Sequence, residues 1–423
     1  MSTLPDQLPI APFTRPVRGR VTLPGSKSIT NRALILAALG AKTVTLRNAL
    51  FSRDTEIMVA ALRALGFKVK TDPAALTITL EGGGGKIPER VTKLDVGNAG
   101  TAARFLTAFV CLCPDGIYSF DGDEAMRRRP IGALLDALKT QGAVASVRQF
   151  PFTLKTAGLR GGAVTLDAAE SSQMLSALMM IAPHAHTPLT VQLKGGTVSR
   201  PFVAMTEQMV KQFAAKPTDY EIEGDATAAS YFAALAAVTG GKLEVAGLNL
   251  AAGALQGDAE FFRLLAANKI INLSGSSVTK GSARSGVTGD FNDFSDTFLT
   301  LAALAPLLDG PTKISGIAHT RKQETDRVAG AARELKKLGQ HVIEAEDSLE
   351  IHPRPLTPNV EIETYHDHRF AMSFAILGCH DLLQNRRPWL TIRDPACCAK
   401  TFPAFFDLLA GLRTASHTET HPA

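Results

Sequence analysis

Lys27 and Arg32 bracket a hydroxyl-rich turn in Leu23-Pro24-Gly25-Ser26-Lys27-Ser28-Ile29-Thr30-Asn31-Arg32, just ahead of the apolar run Ala33 to Leu39. A helix starting here would present unpaired backbone N–H groups and a partial positive charge to whatever lies before it. With two full positive charges alongside, the stretch is suited to holding an anion. It is not a Walker A loop, because Ser26 separates Gly25 from Lys27 and Arg20 stands where the earlier glycine is needed. A capped helix with two solvated basic residues would account for this stretch taken singly. Recurrence argues for more. Polar clusters open apolar segments again at Gly97-Asn98-Ala99-Gly100-Thr101, Ser171-Ser172-Gln173, Gly224-Asp225-Ala226-Thr227, Phe294-Ser295-Asp296-Thr297 and His366-Asp367-His368-Arg369.

The elements that must position these clusters repeat as well. The spacing of the clusters, roughly 55 to 75 residues, indicates an internal repeat longer than a solenoid's. Behind them come amphipathic patterns over Asp54 to Leu65, Pro130 to Gln141, Pro201 to Phe213, Asp258 to Ala267, Asp326 to Leu338 and Phe402 to Leu409. Alternating strand patterns lie between, as in Leu76 to Leu80, Val164 to Leu166 and Leu189 to Leu193. The unit reads as strand, helix, strand, helix, strand, strand, used six times. The all-round apolar helices are expected to be buried. Six units divide into two halves of three at the turn-rich stretch Lys216 to Gly224, and the strand near Arg15 to Leu23 is expected to join the second half. If the buried helices aim their N-termini at a cleft, positive helix ends concentrate there. The tail from Thr414 to Ala423 reads as disordered.

The 423 residues allow two or three domains. A net charge of +5, without basic runs interleaved with aromatics, favours small anionic ligands over nucleic acid. No apolar run of about 18 residues indicates a membrane span, and Met1 to Pro16 has neither a signal nor a transit pattern. Five cysteines, none in a Cys-x-x-Cys pair, argue against a disulfide framework or a zinc site and fit a reducing cytoplasm.

The first motif, with Gly97-Asn98-Ala99-Gly100-Thr101-Ala102-x-Arg104, Arg129-Pro130-Ile131-Gly132, Ser171-Ser172-Gln173, Gly224-Asp225-Ala226, Glu324-Thr325-Asp326-Arg327, Asp367-His368-Arg369 and Asp394-Pro395 to Lys400-Thr401-Phe402-Pro403, resembles the 5-enolpyruvylshikimate-3-phosphate synthase family, in order and over nearly the whole chain. The resemblance implies an α/β fold of two inverse α/β barrels with six βαβαββ units, three per domain, and a cleft between the domains. Residues 23–223 would form the upper domain, 1–22 with 224–423 the lower one, with hinges near 19–24 and 219–225. It implies a cytoplasmic, monomeric enzyme without metal or organic cofactor. Shikimate 3-phosphate closes it, phosphoenolpyruvate enters, the 5-hydroxyl attacks C2, C3 is protonated, and phosphate leaves the tetrahedral adduct. Glyphosate is a further expected ligand.

Carried onto this chain, the family's phosphoenolpyruvate positions are Lys27, Asn98, Gly100, Arg129, Gln173, Arg327, Arg369 and Lys400. Its shikimate 3-phosphate positions are Lys27, Ser28, Arg32, Ser171, Ser172, Gln173, Asp296, His319 and Gln323. Arginine forks suit carboxylate and phosphate alike. Asp296 is expected as general base on the attacking hydroxyl and Glu324 as the carboxyl serving C3. Lys27 is a second proton donor, its acidity increased by neighbouring cations. Plainer readings are a helix-terminal charge for Asp296, an ion pair with Arg327 for Glu324 and a helix cap for Ser171. His368 either orients the phosphoenolpyruvate site or makes a structural hydrogen bond.

The chain also departs from the family pattern. Gln323 and His319 replace a Lys and an Asn of familiar members, leaving the phosphate to His319, Arg321 or Arg200. Phe202 replaces a Tyr. Phe105 replaces a Pro after Arg104, which is expected to shift Gly100 and weaken glyphosate more than phosphoenolpyruvate. A sister enzyme acting on a UDP-amino sugar shares the fold, but carries Ala-Lys-Asn-Ala in the first motif and a loop cysteine. Asp123 to Pro130 has no cysteine here. A non-catalytic anion binder is disfavoured by the two carboxylates, which would weaken anion affinity.

Overall fold

The computed structural model describes residues 4–167, 171–194 and 199–418. The chain divides into two compact units, Gly25–Glu223 and a second made of the residues up to Pro24 together with those from Gly224 onward.

In the unit Gly25–Glu223 the helices are α1 (Lys27–Leu39), α2 (Arg53–Ala64), α3 (Gly100–Phe109), α4 (Glu124–Arg127), α5 (Gly132–Thr140), α6 (Ser172–Ile181) and α7 (Arg200–Ala214). Every residue of α3 and all of α1 beyond Ser28 is buried. Their alanines let neighbouring helices approach closely, while Leu34, Ile35, Leu106 and Phe109 fill the space between. Strand Thr43–Arg47 pairs in parallel with Asp219–Glu221 and antiparallel with Thr77–Glu81. Val91–Asp95 and Ile117–Asp121 repeat the parallel pairing, with Phe152–Lys155 antiparallel beside them. Gly162–Asp167 and Leu189–Lys194 form a two-stranded parallel sheet. Gly25 sits where no side chain fits, since a Cβ there would lie 1.8 Å from the carbonyl oxygen of Asn48.

The second unit contains α8 (Ala226–Thr239), α9 (Ala259–Ala267), α10 (Phe298–Leu304), α11 (Arg327–Lys337), α12 (His368–Gly378) and α13 (Phe405–Thr418). One apolar core runs through it, from Val21 and Phe232 to Phe298, Phe374 and Phe405. Strand Arg18–Thr22 joins this unit by pairing in parallel with Lys242–Ala246. Thr288–Asp290 pairs in parallel with Thr312–Ser315, and Val360–Ile362 with Leu390–Arg393.

Two expectations need correction. The third and sixth repeats do not end in their own strand pair, because Asp219–Glu221 joins the sheet of Thr43–Arg47 and Gln7–Pro9 joins Leu390–Arg393. The tail is ordered as far as Thr418. Ser416 Oγ accepts from the Arg18 N–H at 3.0 Å and His417 Nε2 lies 2.9 Å from Thr14 Oγ1, so α13 is fastened to the entry of the unit. Residues 419–423 lie outside the described residues. No helix among the described residues is long and apolar enough to cross a membrane.

Candidate functional site

The buried helices of the two units begin differently. In the unit Gly25–Glu223, Ser26 and Ala99 precede α1 and α3 without a side-chain cap bond, and at α6 Ser171 Oγ accepts from the Gln173 N–H at 3.3 Å. In the second unit carboxylates stand at the helix starts. Asp225 accepts from Ala228 N–H at 2.8 Å, Asp367 from Arg369 N–H at 2.9 Å, and Asp296 lies in the turn entering α10. The Gln256 side chain also accepts from Ala226 N–H at 2.9 Å, so the α8 terminus is closed by the protein itself. The buried helices α1, α3 and α6 thus start without a carboxylate, whereas α8, α10 and α12 start with one.

In the unit Gly25–Glu223, Lys27 Nζ lies 3.5 Å from Asp54 Oδ2, a carboxylate buried at the start of α2. Arg32, only 2 % exposed, gives its donors to neutral oxygens: Thr206 Oγ1 at 2.8 Å, Ser176 Oγ at 3.0 Å and the Ser28 carbonyl at 3.0 Å. Arg104, quoted in a motif but given no role from sequence, is a strut. It donates to the Gly100 carbonyl at 3.3 Å and to the Pro130 carbonyl, tying α3 to the segment that carries Arg129. Arg129 packs on Gly100 so closely that a Cβ there would lie 2.5–2.7 Å from its guanidinium atoms. Asn98 is buried ahead of this contact, and Ser28, Ser172 and Gln173 are half-buried.

In the second unit, Arg327 and Arg369 run through a ladder of carboxylates. Arg369 Nη2 meets Asp296 Oδ2 at 2.6 Å and Arg327 Nη1 meets Asp296 Oδ1 at 3.3 Å. Arg327 further binds Asp367 at 2.7 Å and Glu324 at 2.8 Å, and Lys400 Nζ lies 3.8 Å from the other Glu324 oxygen. Burial alone would lower both guanidinium pKa values. Asp367, Glu324 and Asp296 carry that of Arg327 above its ordinary value, and Asp296, Tyr231, Asp258 and Asp367 do the same for Arg369. Asp296, 19 % exposed, is the most accessible of the ladder's carboxylates.

The expected residues of this half therefore converge. Gln323 Oε1 accepts from Arg327, so this side chain supports the ladder. Arg321 is taken up by Asp326 at 2.9 Å, Glu344 at 3.0 Å and the carbonyls of Ala345 and Glu346, which removes it as a substitute phosphate ligand. Arg200 is exposed at the start of α7. His319 Nε2 lies 2.8 Å from Ser295 Oγ, fixing the turn that carries Asp296, and burial pushes the His319 pKa down. His368 is fully buried, with Nδ1 3.6 Å from Asp367 Oδ1.

Sequence reasoning missed Asp258, which is buried, accepts from Thr227 Oγ1 at 2.7 Å, and is pushed up to about 7 by burial and by Asp296. Its only signal was its place before an amphipathic helix, which reads as a cap. It also missed Ser295 and the Asp367 contact with Arg327. Among the described residues no group of three or more His, Cys, Asp or Glu side chains is arranged to hold a metal ion.

The family model for EPSP synthase, 3-phosphoshikimate 1-carboxyvinyltransferase, matches residues 13–409. The chain belongs to this family. It is 52 % identical to a 3-phosphoshikimate 1-carboxyvinyltransferase of Opitutus terrae, over 98 % of this chain and 99 % of that one. It is 39 % identical to one from a Nostoc species, over 95 % and 98 %. Among solved structures, an EPSP synthase of Acinetobacter baumannii superposes with a TM-score of 0.75 at 24 % identity, covering 96 % of this chain and 98 % of that chain. An enolpyruvyl transferase of Streptomyces tendae reaches 0.69 at 17 % identity, covering 96 % and 97 %. At those identities the structures speak for a shared mixed α/β fold alone.

Proposed function

We infer that the chain transfers the enolpyruvyl group of phosphoenolpyruvate to the 5-hydroxyl of shikimate 3-phosphate, releasing phosphate. The observation that carries this reading is the ladder of Asp296, Arg369, Arg327, Glu324 and Lys400. Two carboxylates held on arginines, within one family-matched set, suit a reaction that moves two protons while anions are bound.

In this mechanism Asp296 takes the proton of the 5-hydroxyl as its oxygen bonds to C2 of phosphoenolpyruvate. The C2–C3 π electrons pick up a proton from Glu324, giving a tetrahedral adduct. The C2–O bond to phosphate then breaks and Glu324 removes a C3 proton, forming the enol ether. Lys27 is assigned as a second donor, toward the departing phosphate. Lys27, Asn98, Gly100, Arg129, Gln173, Arg327, Arg369 and Lys400 are assigned to phosphoenolpyruvate. Lys27, Ser28, Arg32, Ser171, Ser172 and Gln173 are assigned to shikimate 3-phosphate, together with His319 beside Asp296. Gln323 contributes through Arg327.

We also read the chain as six variants of one βαβαββ unit, three in each compact unit, forming an inverse α/β barrel, with the full four strands present in four of the six sheets. The parallel first pair common to all six supports this.

Turnover in deuterated water tests the proton assignment. Reversible protonation should place deuterium on the C3 methylene of product and of recovered phosphoenolpyruvate, and Glu324→Gln should abolish both. Product formed without deuterium at C3 would contradict the role given to Glu324.

A further inference from the structure

Arg32 differs from the other arginines of the site in what surrounds it. Arg327 and Arg369 are each ion-paired to carboxylates. Arg32 is equally buried, yet among the described residues no carboxylate lies within ion-pair distance of it, and its hydrogen bonds end on hydroxyls and carbonyls. Its guanidinium carbon instead lies 5.2 Å from the ring centre of Phe105 on α3 and 5.8 Å from that of Phe202 on α7. Thr206 and Ser176, 2.9 Å apart, close the remaining side.

A buried cation without a counter-ion is costly. Ring faces offset part of that cost through their quadrupole, and they do so without adding negative charge. A carboxylate in the same place would hold Arg32 more strongly but would neutralise it. Burial lowers the Arg32 pKa to about 9, so the group remains charged at neutral pH. The charge is thus held rigidly and kept dry, with no carboxylate among the described residues to neutralise it.

We propose that Phe105 and Phe202 are positioning residues that grip the Arg32 guanidinium in place of a carboxylate, and so set the affinity for the anionic acceptor without acting on phosphoenolpyruvate. This rests on the assignment of Arg32 to shikimate 3-phosphate made above. The two positions where aromatic residues depart from the family pattern thereby act on one cation. Their helices both pack against α1, so the grip also fixes the first turns of α1, where the Ser28 carbonyl accepts from Arg32 at 3.0 Å.

The test compares wild type with Phe105→Leu, Phe202→Leu and Phe202→Tyr. Shikimate 3-phosphate binding is measured by calorimetry without phosphoenolpyruvate, and the KM of each substrate and the thermal midpoint are measured alongside. Each leucine variant should weaken acceptor binding about three- to thirtyfold, the range of a desolvated cation–π contact. The KM for phosphoenolpyruvate should stay within about twofold by the same account, and Phe202→Tyr, which keeps the ring, should bind as wild type. Unchanged acceptor binding in both leucine variants overturns the proposal, as does a parallel rise of both KM values or a tyrosine variant as weak as the leucine one. Phe202 is only half-buried, so its variants carry the test if Phe105→Leu fails to fold. Wild type that does not bind shikimate 3-phosphate overturns the functional reading itself, and with it the acceptor given to Arg32.

Discussion

Replacing Gly100 with alanine should separate substrate binding from stability. The new Cβ would stand 2.5 Å from Arg129 Nη1, 2.6 Å from Nη2 and 2.7 Å from Cζ. Carbon and nitrogen rest at roughly 3.5 Å or more, so the guanidinium must retreat by about 1 Å. It is the far end of a long side chain, whereas α3 is held by Arg104 through the Gly100 and Pro130 carbonyls. The side chain therefore yields and the helix stays. Alanine is also the better helix former, by up to about 1 kcal/mol. A displaced arginine loses a charge-assisted hydrogen bond to its anion, about 1.5–3 kcal/mol, which corresponds to a rise of roughly ten- to hundredfold in the KM for phosphoenolpyruvate. Steady-state kinetics with both substrates, acceptor binding by calorimetry and thermal unfolding read the three quantities separately. Acceptor affinity and thermal midpoint should hold. An unchanged KM for phosphoenolpyruvate, or a fall of several degrees in the midpoint, would refute the reasoning, because the methyl group would then have displaced something other than Arg129.

Asp258→Asn should change how stability depends on pH. The folded pKa of Asp258 is raised to about 7 from the ordinary carboxylate range, by burial first and Asp296 second. The stability it contributes is therefore complete below about pH 4 and is lost as the pH rises through 7. The asparagine variant should gain on wild type between pH 4 and 7 by at most about 4 kcal/mol, three units at 1.36 kcal/mol each; parallel urea-unfolding curves across that range would disprove this. Asp367→Ala removes the fully buried partner of Arg327 and the cap on Arg369 N–H, and should destabilise by about 3 kcal/mol, toward the lower end for a broken buried pair because Glu324 and Asp296 remain. A loss under about 1 kcal/mol in urea unfolding would show that the other carboxylates suffice. Ser295→Ala and His319→Ala should each lower kcat, and the double variant should lower it no further than either single one, because their hydrogen bond acts as one support for Asp296. Additive losses would mean that the two side chains act separately.

The all-round apolar character of α1, α3 and α8 made their burial legible, and the polar residues opening them pointed to the candidate site. Periodicity also gave the amphipathic helices to within a few residues, except α13, where Ser416 and His417 bond to residues some 400 positions away, a long-range contact that local pattern does not carry. The same limit hid most of the electrostatics. Glu324 and Arg327 are three apart, and their pair was readable. Asp296 with Arg369 and Arg327 with Asp367 join residues from different repeats, and Ser295 with His319 joins residues 24 apart within one, so only the packed chain brings them together. Phe105 and Phe202 were visible as departures from the family pattern. That both meet Arg32 depends on the packing of α1 against α3 and α7.

The most direct test of the central claim is phosphate release from phosphoenolpyruvate with and without shikimate 3-phosphate, in buffer containing a chelator. The account predicts release that depends on shikimate 3-phosphate and is lost in Asp296→Asn. Release with a UDP-amino sugar and not with shikimate 3-phosphate, or no release with either acceptor, would contradict it.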